Sequence, residues 1–478
     1  MTRLLRGGQL RFLDRRQIYD IHMAALEILE KVGVKIESQM IFDIFKDAGA
    51  RVNPDKKIAY IPQHLVGECI RKAPKKVYLC GRNQEYDLVL EGNRFCFGLG
   101  GSPKSRFLDI DTGLYRNPTL RDIDETTRLA DALQGIHFVQ NLGQPMDKQQ
   151  RVQYLYVAKA MLENTEKHSL CTAASGRDAK TIIDMASRVE NDLTKRPIVS
   201  IYTCPTSPLT LSVSQENIVE TAREGVPTVV CTAPQAGATA PVTLAGAVAQ
   251  NIAENLASLT LAEIVNPGVP IVIGATSTIM DPRTSMFSVG APEFVIEQIM
   301  CVQVSHFYDL PYFGGGGLSD SKIPDGQAAA EAMMTLLTSA LVGMNMIQDV
   351  GILAFDDVGS PEMAVICDEI IGYVERIIQS SEVNYETLAL DVIRDVGPGG
   401  SFLSHKHTLR HVRDEVYLPR LFDRLPESLW FKKGAKDIRM VAREKAKKIM
   451  AEHHPERLPE STLSELNDIL RKEELGNR

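Results

Sequence analysis

Eight short apolar runs recur along this chain, each followed by small or polar residues and then by a longer amphipathic stretch. The runs fall near Arg94–Leu99, Ile136–Asn141, His168–Ala173, Ile198–Thr203, Thr228–Ala233, Pro270–Ala275, Pro311–Gly315 and Gly343–Asp349. The intervening helical patterns lie near 119–133, 148–165, 178–192, 214–224, 242–265, 292–308, 326–341 and 361–380. Near-continuous apolar strands alternating with helices predict a parallel sheet covered on both faces. Eight such units predict closure into a (β/α)8 TIM barrel over residues 94–383, within the α/β class. A doubly wound open sheet would carry a Gly-x-Gly-x-x-Gly turn after a strand. Neither that turn nor a Walker-type Gly-Lys-Ser/Thr is present.

The segments outside the repeat read as extensions. Residues 1–93 are expected to form a helical cap with a small β element. Asp14 and Gln17 have capping-box spacing. Ile18, Ile21, Ala25, Ile28 and Val32 line one helical face, and Gly33 stops it. Ser38 and Pro62 mark the starts of two further helices. Residues 384–478 are expected to be a helical extension packed on the barrel. It contains Gly397-Pro398-Gly399-Gly400 and a Thr462-x-x-Glu465 capping box, and no low-complexity linker precedes it.

A net charge of −8 gives no nucleic-acid footprint. Every apolar stretch falls short of the ~20 residues that span a bilayer. The N-terminus lacks the apolar core of a signal peptide, which predicts a cytoplasmic protein without membrane association. Eight scattered cysteines form no Cys-x-x-Cys pair. His168 and Cys171, three apart on a strand, face opposite ways. No metal site is expected.

In a barrel the loops after the strands share one face, where chemistry is placed. Collecting them gives Gly98, Gly100 and Gly101; Asn141 and Gln144; Ser175; Tyr202, Thr203 and Thr206; Gln235 and Gly237; Thr276, Ser277 and Asp281; and Gln348 and Asp349. The seventh loop is the densest: Gly314-Gly315-Gly316-Gly317, then Asp320, Lys322, Asp325 and Gln327, with Glu331 in the following helix. Glycine without Cβ permits close approach to the backbone. A Schiff-base lysine needs a depressed pKa. Acids flank Lys322 on both sides and favour its charged form, so ion pairing is the expected role. His405, His407 and His411 follow the Gly397–Gly400 turn and could cap the mouth. No Ser-His-Asp order or Gly-x-Ser-x-Gly elbow is evident.

Four segments together give the chain a resemblance to the trimethylamine methyltransferase family. They are Arg223-Glu224-Gly225-Val226-Pro227; Ala236-Gly237-Ala238-Thr239-Ala240-Pro241-Val242-Thr243-Leu244; Gly316-Gly317-Leu318-Ser319-Asp320-Ser321-Lys322 with Asp325 and Gln327; and Gly397-Pro398-Gly399-Gly400-Ser401-Phe402-Leu403 with His407-Thr408-Leu409-Arg410-His411 and Arg413. The resemblance implies a TIM barrel that transfers a methyl group from an amine to the cobalt of a separate corrinoid protein. The archaeal trimethylamine enzymes carry pyrrolysine near the helix after the glycine-rich loop, where this chain has Ala328-Ala329-Ala330-Glu331-Ala332. Members without pyrrolysine resemble demethylases of quaternary amines such as glycine betaine, proline betaine and carnitine.

This implies a glycine betaine:corrinoid protein methyltransferase. The nucleophile is Co(I) on the partner, and the enzyme holds the N–CH3 bond in line with it. No Asp-x-His-x-x-Gly segment is present to ligate cobalt, so no cofactor is expected in this chain. The corrinoid (cobalamin) would arrive on a cognate protein docking at the mouth, and the enzyme is expected to be a homo-oligomer. Aromatic faces suit the trimethylammonium end, with Tyr202, Tyr312, Phe313 and Phe355 as candidates. Asp320, Asp325 and Glu331 are the candidate catalytic acids, offset from the ammonium or paired with Lys322. Gly315, Gly316, Gln327, Gln348 and His407 complete the expected substrate contacts. Alternatives are demethylation of proline betaine or carnitine, a barrel lyase using Lys322, and a noncatalytic betaine-binding protein.

Overall fold

The structure, a computed structural model, describes residues 4–101 and 105–476. Residues 1–3 of the expected N-terminal cap and 477–478 of the expected C-terminal extension lie outside the described residues. Eight parallel strands close into a barrel in sequence order. They are β1 (Cys96–Leu99), β2 (Phe138–Val139), β3 (His168–Thr172), β4 (Val199–Thr203), β5 (Thr228–Val230), β6 (Ile271–Ala275), β7 (Tyr312–Gly315) and β8 (Met346–Val350). Closure is by pairing of β8 with β1, Met346 opposite Cys96. The helices that follow are α1 (Leu120–Ala132), α2 (Gln153–Asn164), α3 (Gly176–Ser187), α4 (Glu216–Glu224), α5 (Leu244–Val265), α6 (Pro292–Phe307), α7 (Gly326–Val342) and α8 (Pro361–Gln379). The TIM barrel predicted from the repeat is the fold observed.

Local chemistry explains the helix ends. Asp325 caps α7 by accepting from the Ala328 N–H, and Gly343, at φ 84°, ends it in the left-handed conformation. Ser360 caps α8, and Pro361 opens it where a missing N–H is harmless.

The barrel interior is filled in layers. Cys96, Phe138, Leu170, Val229, Val272 and Met346 form one apolar cluster. An antiparallel hairpin, Lys76–Leu79 paired with Leu88–Glu91, pushes Val77, Leu79, Leu88 and Leu90 into the same cluster. It sits at the foot of the barrel, where the Cys80 N–H donates to Pro197 just before β4 and the Cys80 carbonyl meets the His168 ring. The foot is therefore stoppered.

At the opposite end, the mouth, two small sheets rise from the loops. Gln235–Ala236, Thr278–Met280 and Phe287–Ser288 form one wall. Ile352–Leu353, Val358–Gly359, Arg106–Leu108 and Tyr115–Arg116 form the other.

The extensions wrap the helices. The N-terminal segment forms three helices and a sheet of Val34–Ile36, Arg51–Asn53 and Ile58–Tyr60, completed by Thr210–Leu211 from the loop after β4. The Asp14–Gln17 capping box is present. At the other terminus, the helix Ile438–Glu452 fills the groove between α8 and α1. Arg439 and Arg443 from it meet the buried Glu362 carboxylate at 2.9 and 2.5 Å. The last helix, Glu460–Leu475, packs on α2 and α3 and starts ahead of the expected Thr462 cap, with Pro459 in the cap position. Between α8 and these helices, residues 381–418 behave differently. Their helices, Tyr385–Leu388, Leu390–Val396 and Lys406–Glu415, contain no buried residue.

Candidate active site

Strand parity decides what reaches the barrel interior. On β7, Phe313 faces inward, and on β4, Tyr202 does the same. Their rings meet edge to face, 5.9 Å between centroids. They form an aromatic floor within the same interior cluster, Phe313 opposite Met346 and Tyr202 opposite Val229. Two residues beyond the inward Phe138, Leu170 and Met346 come Gln140, Thr172 and Gln348, which the same alternation turns toward the mouth. The Gln140 Nε2 donates to Thr172 Oγ1 at 3.1 Å. The Gln140 Oε1 and the Gln348 Oε1 are buried without a hydrogen-bond partner among the described residues. Unmatched buried acceptors of this kind are unusual and ask for a ligand or water. Cys231 and Thr276 stand on the adjoining wall, Sγ to Oγ1 3.7 Å.

Asp349 completes this layer. The β8–β1 register shifts between Ile347 and Val350, and Asp349 takes φ 75° within the shift. A non-glycine residue held there is strained and is overdetermined by its surroundings. Its N–H donates to Gly100 at 2.7 Å. Its carboxylate lies against Gly315, where an added Cβ would come within 3.0 Å of Oδ2. Burial raises the Tyr202 hydroxyl well above its ordinary range, and the Asp349 charge adds to that.

The acids of the glycine-rich loop do something else. Asp320 accepts from Ser288 Oγ at 2.5 Å and from the Val289 N–H at 2.9 Å. Burial raises its pKa in spite of these bonds. Glu331 accepts from Ser319 Oγ, the Asp320 N–H and Gln327 Nε2 at 2.5, 2.9 and 2.8 Å. Asp325 caps α7 and accepts from Ser321 Oγ at 2.8 Å. Burial opposes ionisation of Asp325, but the Ala328 N–H and Ser321 hydroxyl prevail and its pKa falls. Lys322 is exposed, donates to the Asp320 carbonyl at 2.7 Å and lies 4.0 Å over the Phe355 ring. The Tyr115 hydroxyl reaches the Lys322 carbonyl at 2.5 Å. The loop is a strut that ties β7 to both walls of the mouth.

This barrel with its aromatic floor can be set beside known proteins. A sequence model of the trimethylamine methyltransferase (MTTB) family matches residues 3–476. The chain belongs to that family. A trimethylamine methyltransferase MttB of Desulfitobacterium hafniense is 36% identical over 462 residues, covering 96% of this chain and 93% of that protein. A trimethylamine methyltransferase MttB1 of Methanosarcina mazei is 31% identical, covering 98% of this chain and 96% of the relative. A glycine betaine methyltransferase of D. hafniense strain Y51 is 31% identical, covering 88% of each chain. The chain is accordingly an enzyme of the methyltransferase class.

Within this trimethylamine methyltransferase family member, the structure divides the residues expected from sequence. Tyr202 and Phe313 lie in the interior cluster, and Gly315 pairs with Gln348 at the mouth ends of β7 and β8. Tyr312 does not: it faces outward into the layer between strands and helices. The Phe355 face is covered by Lys322. A Cβ at Gly316 would strike Ile347, so that glycine serves packing. Gln327 is exposed and braces Glu331. His407 lies in the segment 381–418, which is rooted at the foot of the barrel by Arg376, whose Nη2 donates to the Glu415 carbonyl at 2.9 Å. Thr276 and Asp349 stood on the rim read from sequence, whereas Gln140, Thr172 and Cys231 are additions. Strand parity counted from the inward apolar residues is the signal that finds them.

Among the described residues no group of three or more His, Cys, Asp and Glu side chains could hold a metal ion, and no helix is long and apolar enough to cross a membrane.

Proposed function

We propose that the enzyme transfers a methyl group from a quaternary amine, glycine betaine foremost, to Co(I) on a separate corrinoid protein that docks at the mouth. The observation that carries this reading is the Tyr202–Phe313 floor roofed by unpartnered amide oxygens of Gln140 and Gln348. A trimethylammonium group has no N–H to donate. It is held by ring faces and by carbonyl oxygens against its polarised methyl groups. The glycine betaine methyltransferase among the relatives supports the choice of substrate.

The chemistry asks little else of the chain. Attack by Co(I) on one methyl carbon forms the Co–C bond and breaks the C–N bond. The electron pair of that bond returns to nitrogen, and a neutral tertiary amine leaves. No proton moves. The protein's part is to aim the N–CH3 bond outward along the barrel axis and exclude water. Positive charge disappears from nitrogen as the methyl departs, so an acid pressed against the ammonium would favour the ground state. Asp320 and Glu331 are engaged in bracing instead, and Asp349 stands to the side against Gly315. The nitrogen of the Gln348 amide is a donor available to the substrate carboxylate.

The test is an anaerobic spectral assay of Co(I) cobalamin against glycine betaine, proline betaine, carnitine and trimethylamine. Methylcobalamin is expected with a quaternary amine. Formation with trimethylamine alone would overturn the reading, and binding without any methyl transfer would favour a noncatalytic betaine binder.

A further inference from the structure

We infer that Cys204 and Cys231 form a dithiol site at the mouth, which a low-molecular-weight disulfide oxidises to a cross-strand bond that closes the way to the aromatic floor. Pairing of β4 with β5 puts Tyr202 opposite Val229 and Thr203 opposite Val230. The next rung of that register is Cys204 opposite Cys231. The Cys231 N–H donates to the Thr203 carbonyl at 2.9 Å, so the strands are still joined there. They part immediately above. The Ile201 N–H donates to the Pro227 carbonyl, and the same step four residues on would need an N–H at Pro205, which has none.

Side-chain alternation turns both thiols to the inner face. Tyr202, Val229 and Cys231 belong to the interior cluster, and Cys204, two residues beyond Tyr202, follows the same parity. Neighbouring strands run about 4.8 Å apart. Disulfides join Cα atoms roughly 4.4–6.8 Å apart, so the rung has the required span. Each cysteine lies one step past the end of its strand, where the backbone can yield to the bond. Seven of the eight cysteines are buried and Cys204 is exposed. An oxidant arriving through the mouth therefore meets Cys204 first. Burial raises the Cys231 thiol, and the Cys204 charge adds to that, as a neighbouring thiolate does.

The chemistry is two successive exchanges. The Cys204 thiolate attacks one sulfur of the small disulfide, and a thiol leaves with the electron pair of the broken S–S bond. Cys231 gives up its proton and attacks the Cys204 sulfur of the mixed disulfide, and the second thiol leaves. Two cysteine thiols become one disulfide while the oxidant is reduced to two thiols. Cys204 carries no charge in the mixed disulfide, which eases ionisation of Cys231 for the second step. The new bond stands on the mouth side of Tyr202 and Val229 and draws the Cys231 sulfur away from Thr276 Oγ1, its neighbour at 3.7 Å. It narrows the passage to the Tyr202–Phe313 floor. Co(I) is itself consumed by oxidants, so the site closes to substrate when no acceptor can serve. That consequence rests on the methyl-transfer reading, whereas the dithiol does not.

The test treats the protein with oxidised glutathione, removes the reagent, and alkylates the remaining thiols before non-reducing digestion and mass spectrometry. A linked Cys204–Cys231 peptide is expected, with loss of two hydrogens and reversal by dithiothreitol. A mixed disulfide that stays on Cys204, a link from Cys204 to any other cysteine or to a second chain, or full alkylation overturns the inference. Isothermal titration calorimetry with glycine betaine then reads the closure. The reduced protein is expected to bind and the linked protein to lose binding. Cys204→Ser protein exposed to the oxidant should bind as its own reduced form does. Equal binding by linked and reduced wild type overturns the closure. No binding by reduced wild type counts against glycine betaine as the substrate, and the mapped link still decides the dithiol.

Discussion

Tyr312 and Phe313 are separated by one step of a strand, and that step sends one ring into the wall and the other to the floor of the barrel. Phe313→Leu keeps most of the volume and removes the π face. It is expected to raise KM for the quaternary amine ~3–30-fold, the equivalent of a cation–π contact of about 0.7–2 kcal/mol. Tyr312→Phe is expected to leave KM unchanged. Equal effects in steady-state kinetics would remove the floor from the argument. Sequence supplied both aromatics as candidates because it shows residue type. It does not show which parity faces inward until a neighbouring strand fixes the register. The same limit governs the loop acids. Asp320, Asp325 and Glu331 are the residue types that catalysis uses, but their partners, Ser288, Ser321 and Ser319, are brought to them only by folding. The position of Asp349 rests on a register shift and a left-handed residue, and neither has a signature in an apolar strand pattern.

Strands and helices were legible because their apolar spacing is a local property, and the eight repeats fixed their order. What an individual helix contributes electrostatically was not. On α6, Glu297 is wholly buried and neither of its carboxylate oxygens has a hydrogen-bond partner among the described residues. Burial pushes its pKa up to about 7. A carboxyl raised in the folded state binds its proton more tightly there than in the unfolded chain. Its stability contribution is fully present below the ordinary value of 4.5 and is lost as pH rises through about 7. Glu297→Gln should therefore flatten the fall in Tm between pH 5 and pH 8, which differential scanning calorimetry at fixed ionic strength measures. Glu254 on α5 shifts in the same direction for the same reason, so the slope should diminish without vanishing. The mouth loops carry a second element-level feature. Val242, Met286 and Ile323, from three successive loops, are 73, 43 and 41% exposed. Aspartate at each should weaken methyl transfer to a corrinoid protein by ~10-fold or more, as loss of an apolar interface contact does. Transfer to free Co(I) cobalamin should be unaffected. A matching loss with the free cofactor would place these residues in substrate binding instead.

The whole molecule is a barrel with helices strapped around it, and only part of that was visible beforehand. The extension from residue 384 was expected to be helical and to pack on the barrel. Within it, residues 438–475 lie along α8, α1, α2 and α3, whereas the three helices between 385 and 415 bury no residue. Each stretch is helical by its own pattern. Which groove accepts it depends on surfaces contributed by distant segments, such as Glu362 receiving Arg439 and Arg443. The hairpin at the foot has a further consequence for traffic. With that end closed by Val77, Leu79, Leu88 and Leu90, the described residues leave the mouth as the way into the interior. A small amine and a protein-borne acceptor that share one door must pass in turn. Under the proposed reaction the amine would enter first, the acceptor would then seal it in, and the demethylated amine would leave only after the acceptor had withdrawn. Initial rates measured over a grid of both reactants should show an ordered pattern, with excess acceptor inhibiting at low amine. Random order would mean that a second way into the barrel exists.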